Sequence, residues 1–198
     1  MSERTWSFRA LDTLFFRGGM PFDAGEWSSR GVRSTFPPSM RTIQGAVRAA
    51  LAVGQGWKPN KEFPVELGDS ESLGKLKLKG PYIHYKDNYL YPVPAILLEG
   101  GNGIFRLKPG PEMVSTDIGV ARLPELVSNS DRPKPIEGKW ITAIGLSKVL
   151  GGGIPAPTDF ISVDSLWLNE GRTGIEINRS SRTADAKKLY HTFHVRPK

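Results

Sequence analysis

The side chains able to do chemistry in this chain are three histidines and a large, uneven set of arginines. His84, His191 and His194 are the only imidazoles, and cysteine is absent, so disulfides and thiolate-held metals are excluded. His191 and His194 stand three residues apart. On a helix they would share a face and a metal, but Tyr190, Phe193 and Val195 favour an extended chain. There an odd separation turns the two rings to opposite faces, and no third metal ligand is evident. A metal-free ribonuclease would need His84 or His191, with a tyrosine or lysine, to move a proton from a 2′-hydroxyl to a leaving oxygen. No spacing fixes such a pair, and a half-exposed hairpin histidine is the simpler reading. Gly100-Gly101-Asn102-Gly103 and Gly151-Gly152-Gly153 lack the following Lys-Ser/Thr of a nucleotide-hydrolysing loop, so they read as a turn and a helix stop. Asp12 and Asp23 bracket one loop at too wide a spacing to mark an acid–base pair.

The arginines carry the stronger signal. Near the C-terminus, Arg179, Arg182, Lys187 and Lys188 stand against one acid, Asp185, between two β-like segments marked by Ile175 and Ile177 and by Tyr190, Phe193 and Val195. This predicts a β-hairpin with a cationic tip, a shape suited to a phosphate backbone. Earlier, Arg17 follows Phe15-Phe16 and precedes Gly18-Gly19. Arg30 and Arg33 precede Phe36, and Arg41 sits between Ser39 and Thr42 at a helix start. If that first loop and the helix N-terminus adjoin, these arginines and the nearby backbone amides form one anion-binding surface. The competing reading is a scatter of solvated loop cations.

The elements that must position these residues follow from patterning. Residues 6–16 alternate and predict a first strand, and 25–36 predict a loop. Ser39 or Thr42 caps the clearest helix, with Ile43, Ala46, Val47, Ala50 and Leu51 as its apolar stripe and Gly54 as its end. Residues 81–91 predict a hairpin turning at Lys86-Asp87, residues 109–135 an irregular stretch, and Thr142 begins a short helix stopped at Gly151. With 16 prolines, 22 glycines and 38% hydrophobic residues in 198, a helical bundle is excluded and one α+β domain over 1–198, with an irregular insertion at about 55–135, is expected. The formal charge of +7 favours an anionic partner, most often nucleic acid. No apolar run reaches ~18 residues and the first residues lack an apolar leader, which predicts a cytoplasmic protein without a membrane partner.

Three segments together resemble one family. They are Leu11-Asp12-Thr13-Leu14-Phe15-Phe16-Arg17-Gly18-Gly19-Met20-Pro21-Phe22-Asp23-Ala24-Gly25, Phe36-Pro37-Pro38-Ser39-Met40-Arg41-Thr42-Ile43-Gln44-Gly45-Ala46-Val47-Arg48-Ala49-Ala50-Leu51, and the stretch from Arg172-Thr173-Gly174-Ile175 through Arg182-Thr183-Ala184 to Leu189-Tyr190. In this order they resemble the subunit of type III-B CRISPR (Cmr) complexes that holds the 5′ handle of the guide RNA, a member of the RAMP superfamily built on ferredoxin-like, RNA-recognition-type domains. The resemblance implies a non-catalytic RNA-binding protein of antiviral defence with no cofactor. Its partners would be the CRISPR guide RNA, the large signalling subunit and the backbone RAMP subunits. By position it implies RNA contacts from Arg17, Gly18, Gly19, Ser39, Arg41, Thr42, Arg179 and Arg182, to which the charge pattern adds Arg30, Arg33, Lys187 and Lys188 as RNA-binding candidates. A guide-RNA-processing endoribonuclease and a protein-only scaffold are the alternatives. Relatives are longer, with a second glycine-rich half. A shortened chain, a split subunit completed by a separate partner chain, or a degraded gene product would account for that. Relatives also commonly have a proline where this chain reads Ser39-Met40-Arg41.

Overall fold

The computed structural model describes residues 3–19, 31–69, 72, 74–117, 119–126 and 132–198, with the backbone alone over 184–189. It is a mixed α+β chain in two compact units: Met1–Pro81 with Leu168–Pro197, and Tyr82–Trp167 with Lys198.

Unit 1 begins with strand β1 (Val32–Arg33) and helix α1 (Met40–Gly54). Ser39 caps α1: its backbone is extended and its Oγ accepts the Thr42 amide at 3.3 Å. The buried face differs from the expected stripe. Val47, Arg48 and Ala52 are buried, whereas Ala46 and Ala50 are exposed. Arg48 is drawn inward because two carbonyls of the following loop receive its guanidinium, Asp69 O at 2.8 Å and Ser72 O at 3.3 Å.

Unit 2 contains β2 (Ile83–Tyr85), β3 (Asn88–Pro92), β4 (Leu97–Gly100), β5 (Gly103–Arg106), β6 (Lys108–Thr116), β7 (Gly119–Glu125), β8 (Lys134–Pro135), β9 (Lys139–Thr142), helix α2 (Ala143–Leu150), β10 (Phe160–Ser162) and helix α3 (Val163–Leu166). An antiparallel sheet runs β10-β9-β3-β2, a second runs β5-β4-β8, and β6-β7 pair only with each other. The β2–β3 turn holds Lys86 and Asp87 at φ 45° and 61°, positive at both central positions as a two-residue hairpin turn requires. Thr142 caps α2 through the Gly145 amide, and Gly151 ends it. Leu97, Ile141 and Val149 form the core, with Tyr91, Ile104, Leu146 and Phe160 against it. Asp159, buried between α2 and β10, accepts from Lys148 Nζ and the Ala156 amide, both at 2.7 Å. The Lys148 hydrogen bond holds its carboxyl below the usual carboxylate range despite the opposing effect of burial.

The β6–β7 hairpin replaces the irregular stretch expected over 109–135. A register shift between Pro109 and Met113 accommodates the break in pairing at Pro111, while Pro109 stands opposite Pro124.

The chain returns to unit 1 through β11 (Trp167–Ile177) and β12 (Ala184–Pro197). The sheet order is β1-β12-β11, with β1 parallel to β12: Val32 lies opposite Thr192 and Arg33 opposite Phe193. The strand expected over 6–16 does not form. β1 occupies the edge of β12 at 192–193, so the early segment meets β12 at one bridge, Leu14 with Val195, and meets the continuation of β1 at Arg17 with Ser34. Trp6, Phe8 and Leu11 are exposed.

Candidate nucleic-acid interface

The charge of the chain is confined to unit 1. Of 27 lysines and arginines and 20 acids, unit 1 holds 18 and 11, a net +7, while unit 2 holds nine of each and is neutral. The field of unit 1 therefore favours a polyanion, and its three-stranded sheet and hairpin carry Arg33, Arg179 and Arg182.

Arg17 sits opposite Ser34, whose Oγ accepts the Phe16 amide at 2.9 Å, while the Thr35 amide donates to Phe16 O at 2.8 Å. Gly18 lies close against this turn: a Cβ there would come within 2.7 Å of Thr35 Oγ1. Gly19 faces open space. Arg33 lies in β1 with its guanidinium over the Phe193 ring, 5.1 Å from the centroid. Paired residues share a face and neighbours alternate, so Arg17, opposite Ser34, stands on the other side of the sheet from Arg33. Ser39 and Thr42 are engaged with each other, their hydroxyls 3.1 Å apart, and Arg41 is exposed on the first turn of α1. Arg30 lies outside the described residues.

The hairpin tip is shorter than the sequence suggests, because β11 ends at Ile177 and β12 starts at Ala184. Lys187 and Lys188 therefore belong to the strand and not to the loop. Asn178 organises the tip. Its Oδ1 accepts the Ser180 and Ser181 amides at 2.9 and 3.2 Å, its amide donates to Thr183 O and its carbonyl accepts from the Arg182 amide. These bonds hold Arg182 at φ 55°, a left-handed conformation that a non-glycine residue adopts only when its surroundings impose it. Arg179 and Arg182 are exposed there. From the Arg33–Phe193 pair to this tip is about ten residues of strand, roughly 30–35 Å. The arginines thus form separate stations, Arg17 and Arg33 on opposite faces at one end and Arg179 with Arg182 at the other, in place of one compact cradle.

His84 lies in unit 2, its ring 5.1 Å from Tyr89. His194 packs on Phe15, while His191 bonds Thr173 Oγ1 through Nδ1 at 2.8 Å and stands edge-on to Phe193 at 4.8 Å. His191 and His194 occupy opposite faces of β12, as their spacing requires. What sequence reasoning missed is the aromatic step His191–Phe193 under Arg33. Its signal was the alternation of two rings with Thr192, read only as strand propensity. Nearby, Glu170 bonds Arg172 and Arg196, and the Arg172 hydrogen bond, more than any other interaction, holds its carboxyl below its ordinary range.

No curated protein matches the chain. A chain in the cryo-EM structure of Type III-B Cmr-beta bound to cognate target RNA and AMPPnP shares its fold, with a TM-score of 0.50 at 16% identity. The match covers 95% of the present chain and 48% of that one, so the sequence spans about half the length of the solved chain. The family model for CRISPR-associated protein (Cas_Cmr3) matches residues 6–198. The chain belongs to the Cas_Cmr3 family of CRISPR-associated proteins.

Proposed function

We propose that this chain is a non-catalytic, guide-RNA-binding subunit of a type III-B Cmr effector complex, with unit 1 anchoring the 5′ handle and other Cmr subunits as its protein partners. The single observation that carries this reading is the segregation of charge: the whole net +7 of a Cas_Cmr3-family chain resides in the unit that bears the arginine-tipped hairpin. Within the α+β class, the ferredoxin-like RAMP arrangement is our reading of unit 1, supported by a helix that follows the β1 edge and a sheet completed by the late hairpin. The non-catalytic role is supported by the engagement of His191 with Thr173 and by the opposite faces of β12 that His191 and His194 occupy.

The mechanism is electrostatic positioning. Guanidinium groups fix phosphates, while the bases remain free to be read elsewhere. If Arg17, Arg41, Arg179 and Arg182 each neutralise one phosphate, about four released counterions give a log–log salt slope near −3 for single-stranded RNA. Titrating the full chain with a repeat-derived RNA at several salt concentrations measures it. A slope of zero, or equal binding by a variant with all four changed to alanine, would reject the mechanism.

A further inference from the structure

The Phe193 face of the β11–β12 sheet carries a run of side chains outside the four arginines assigned to phosphates above. Thr173 and His191 meet on it through their hydrogen bond, and Phe193 and Arg33 share it as paired neighbours. Alternation along β11 adds Ile175 and Ile177, 50% and 56% exposed, between this cluster and the tip. The opposite face is built differently: Tyr190 lies flat over Gly174, where a Cβ would clash with its ring.

Two glycines set the rings on the Phe193 face. A Cβ at Gly171 would lie 3.3 Å from the His191 ring, and one at Gly31, at φ 66°, 2.9 Å from both His191 and Phe193. The two rings meet edge to face at 88°, over backbone that offers no side chain in the way. Arg33 covers Phe193, so the outer surface is a guanidinium plane on an aromatic ring, the kind of surface on which a nucleobase stacks.

We infer that this face is a base-stacking track for single-stranded RNA: bases rest on the Arg33–Phe193 pair and on Ile175 and Ile177, with His191 set edge-on against Phe193, while arginines at both ends, Arg33 and the Arg179–Arg182 tip, hold phosphates. The occupant follows from charge complementarity, since an apolar run bracketed by arginines in a unit of net +7 matches a polyanion with π-faces. The inference rests on the RNA-binding reading above and deepens it by naming where bases go. It assigns Arg17 to a different stretch of backbone, because Arg17 stands on the other face.

The test uses the full chain and single-stranded 12-nucleotide RNAs carrying 2-aminopurine at each position in turn. Stacking quenches the fluorophore at a few adjacent positions. Phe193→Leu removes that quenching and weakens binding about fivefold, the low end for one stacked base, without changing the salt slope. Arg33→Ala reduces the magnitude of the slope by about 0.7. Ile175→Ser, at a half-exposed position that leaves the fold intact, weakens binding about threefold and keeps the experiment decisive if Phe193→Leu does not fold. An intact slope with unchanged affinity and quenching in Ile175→Ser and Phe193→Leu overturns the track and leaves RNA anchoring standing. Absence of salt-dependent RNA binding overturns both. Loss of self-association in Ile175→Ser, measured by sedimentation with RNA affinity unchanged, would make the face a protein interface and equally overturn the track.

Discussion

Gly145→Ala sets helix propensity against packing. Gly145 is the third residue of α2, and alanine there gains about 1 kcal/mol of propensity at most. The new Cβ would lie 2.6 Å from Asp159 Cβ, 2.8 Å from Ile141 Cγ1 and 3.1 Å from Ile141 Cδ1. Neither neighbour is free to yield. Ile141 is fully buried in the core, and Asp159 is held by Lys148 and the Ala156 amide. Overpacking of this kind costs about 1–3 kcal/mol, and displacing Asp159 loosens two hydrogen bonds of about 1 kcal/mol each. Packing wins, with a net loss of roughly 1–3 kcal/mol. Urea unfolding followed by tryptophan fluorescence reads this as a midpoint lower by roughly 0.5–1 M at unchanged slope. Gly45→Ala is the internal contrast. It lies inside α1 with nothing within 4 Å of a new Cβ, so it keeps the propensity gain and raises stability by about 0.5–1 kcal/mol. Equal midpoint increases for the two variants would refute the packing argument.

Two further predictions concern capping and pH. Ser39→Ala removes the side-chain acceptor of the Thr42 amide and lowers stability by about 1 kcal/mol, read by denaturant unfolding, whereas Ser39→Asp restores the cap. Because Asp159 is held below its ordinary value of 3.8, its contribution is present above that pH and is lost as pH falls through the lower folded value. Unfolding midpoints measured from pH 6 downward therefore drop more steeply below about pH 4 in the native protein than in Asp159→Asn. Parallel curves would show that the Lys148 pair does not couple to folding.

Local chemistry made part of the fold legible. Ser39 and Thr142 announced the starts of α1 and α2 because a hydroxyl before a periodic run is itself the capping group, and Gly151 marked the end of α2 for an equally local reason. Residues 6–16 misled because alternation describes one strand's faces and says nothing about whether a neighbour's edge is vacant; β1 had taken it. The β6–β7 hairpin was hidden because residues 109–135 show no strong period, and a register shift between Pro109 and Met113 breaks whatever alternation the strand has. Arg48 turned inward because its partners are backbone carbonyls 21 and 24 residues away, which no residue type can signal.

The candidate site shows the same division. The types of its residues were legible, since arginines near glycines and on a hairpin point to phosphate whatever the fold. Their arrangement was not. Arg33 and Phe193 are 160 positions apart in sequence and become neighbours only through the parallel β1–β12 pair, while one step of alternation sends Arg17 to the opposite face. Net charge had the same ambiguity. As a sum over 198 residues, +7 describes a mildly basic protein; confined to one unit beside a neutral one, it describes a cationic body of about half the chain. A single strand following that body's surface cannot reach Arg17 and Arg33 on one face, so the number of phosphates it neutralises is set by the path it takes around the sheet edge as well as by the count of arginines.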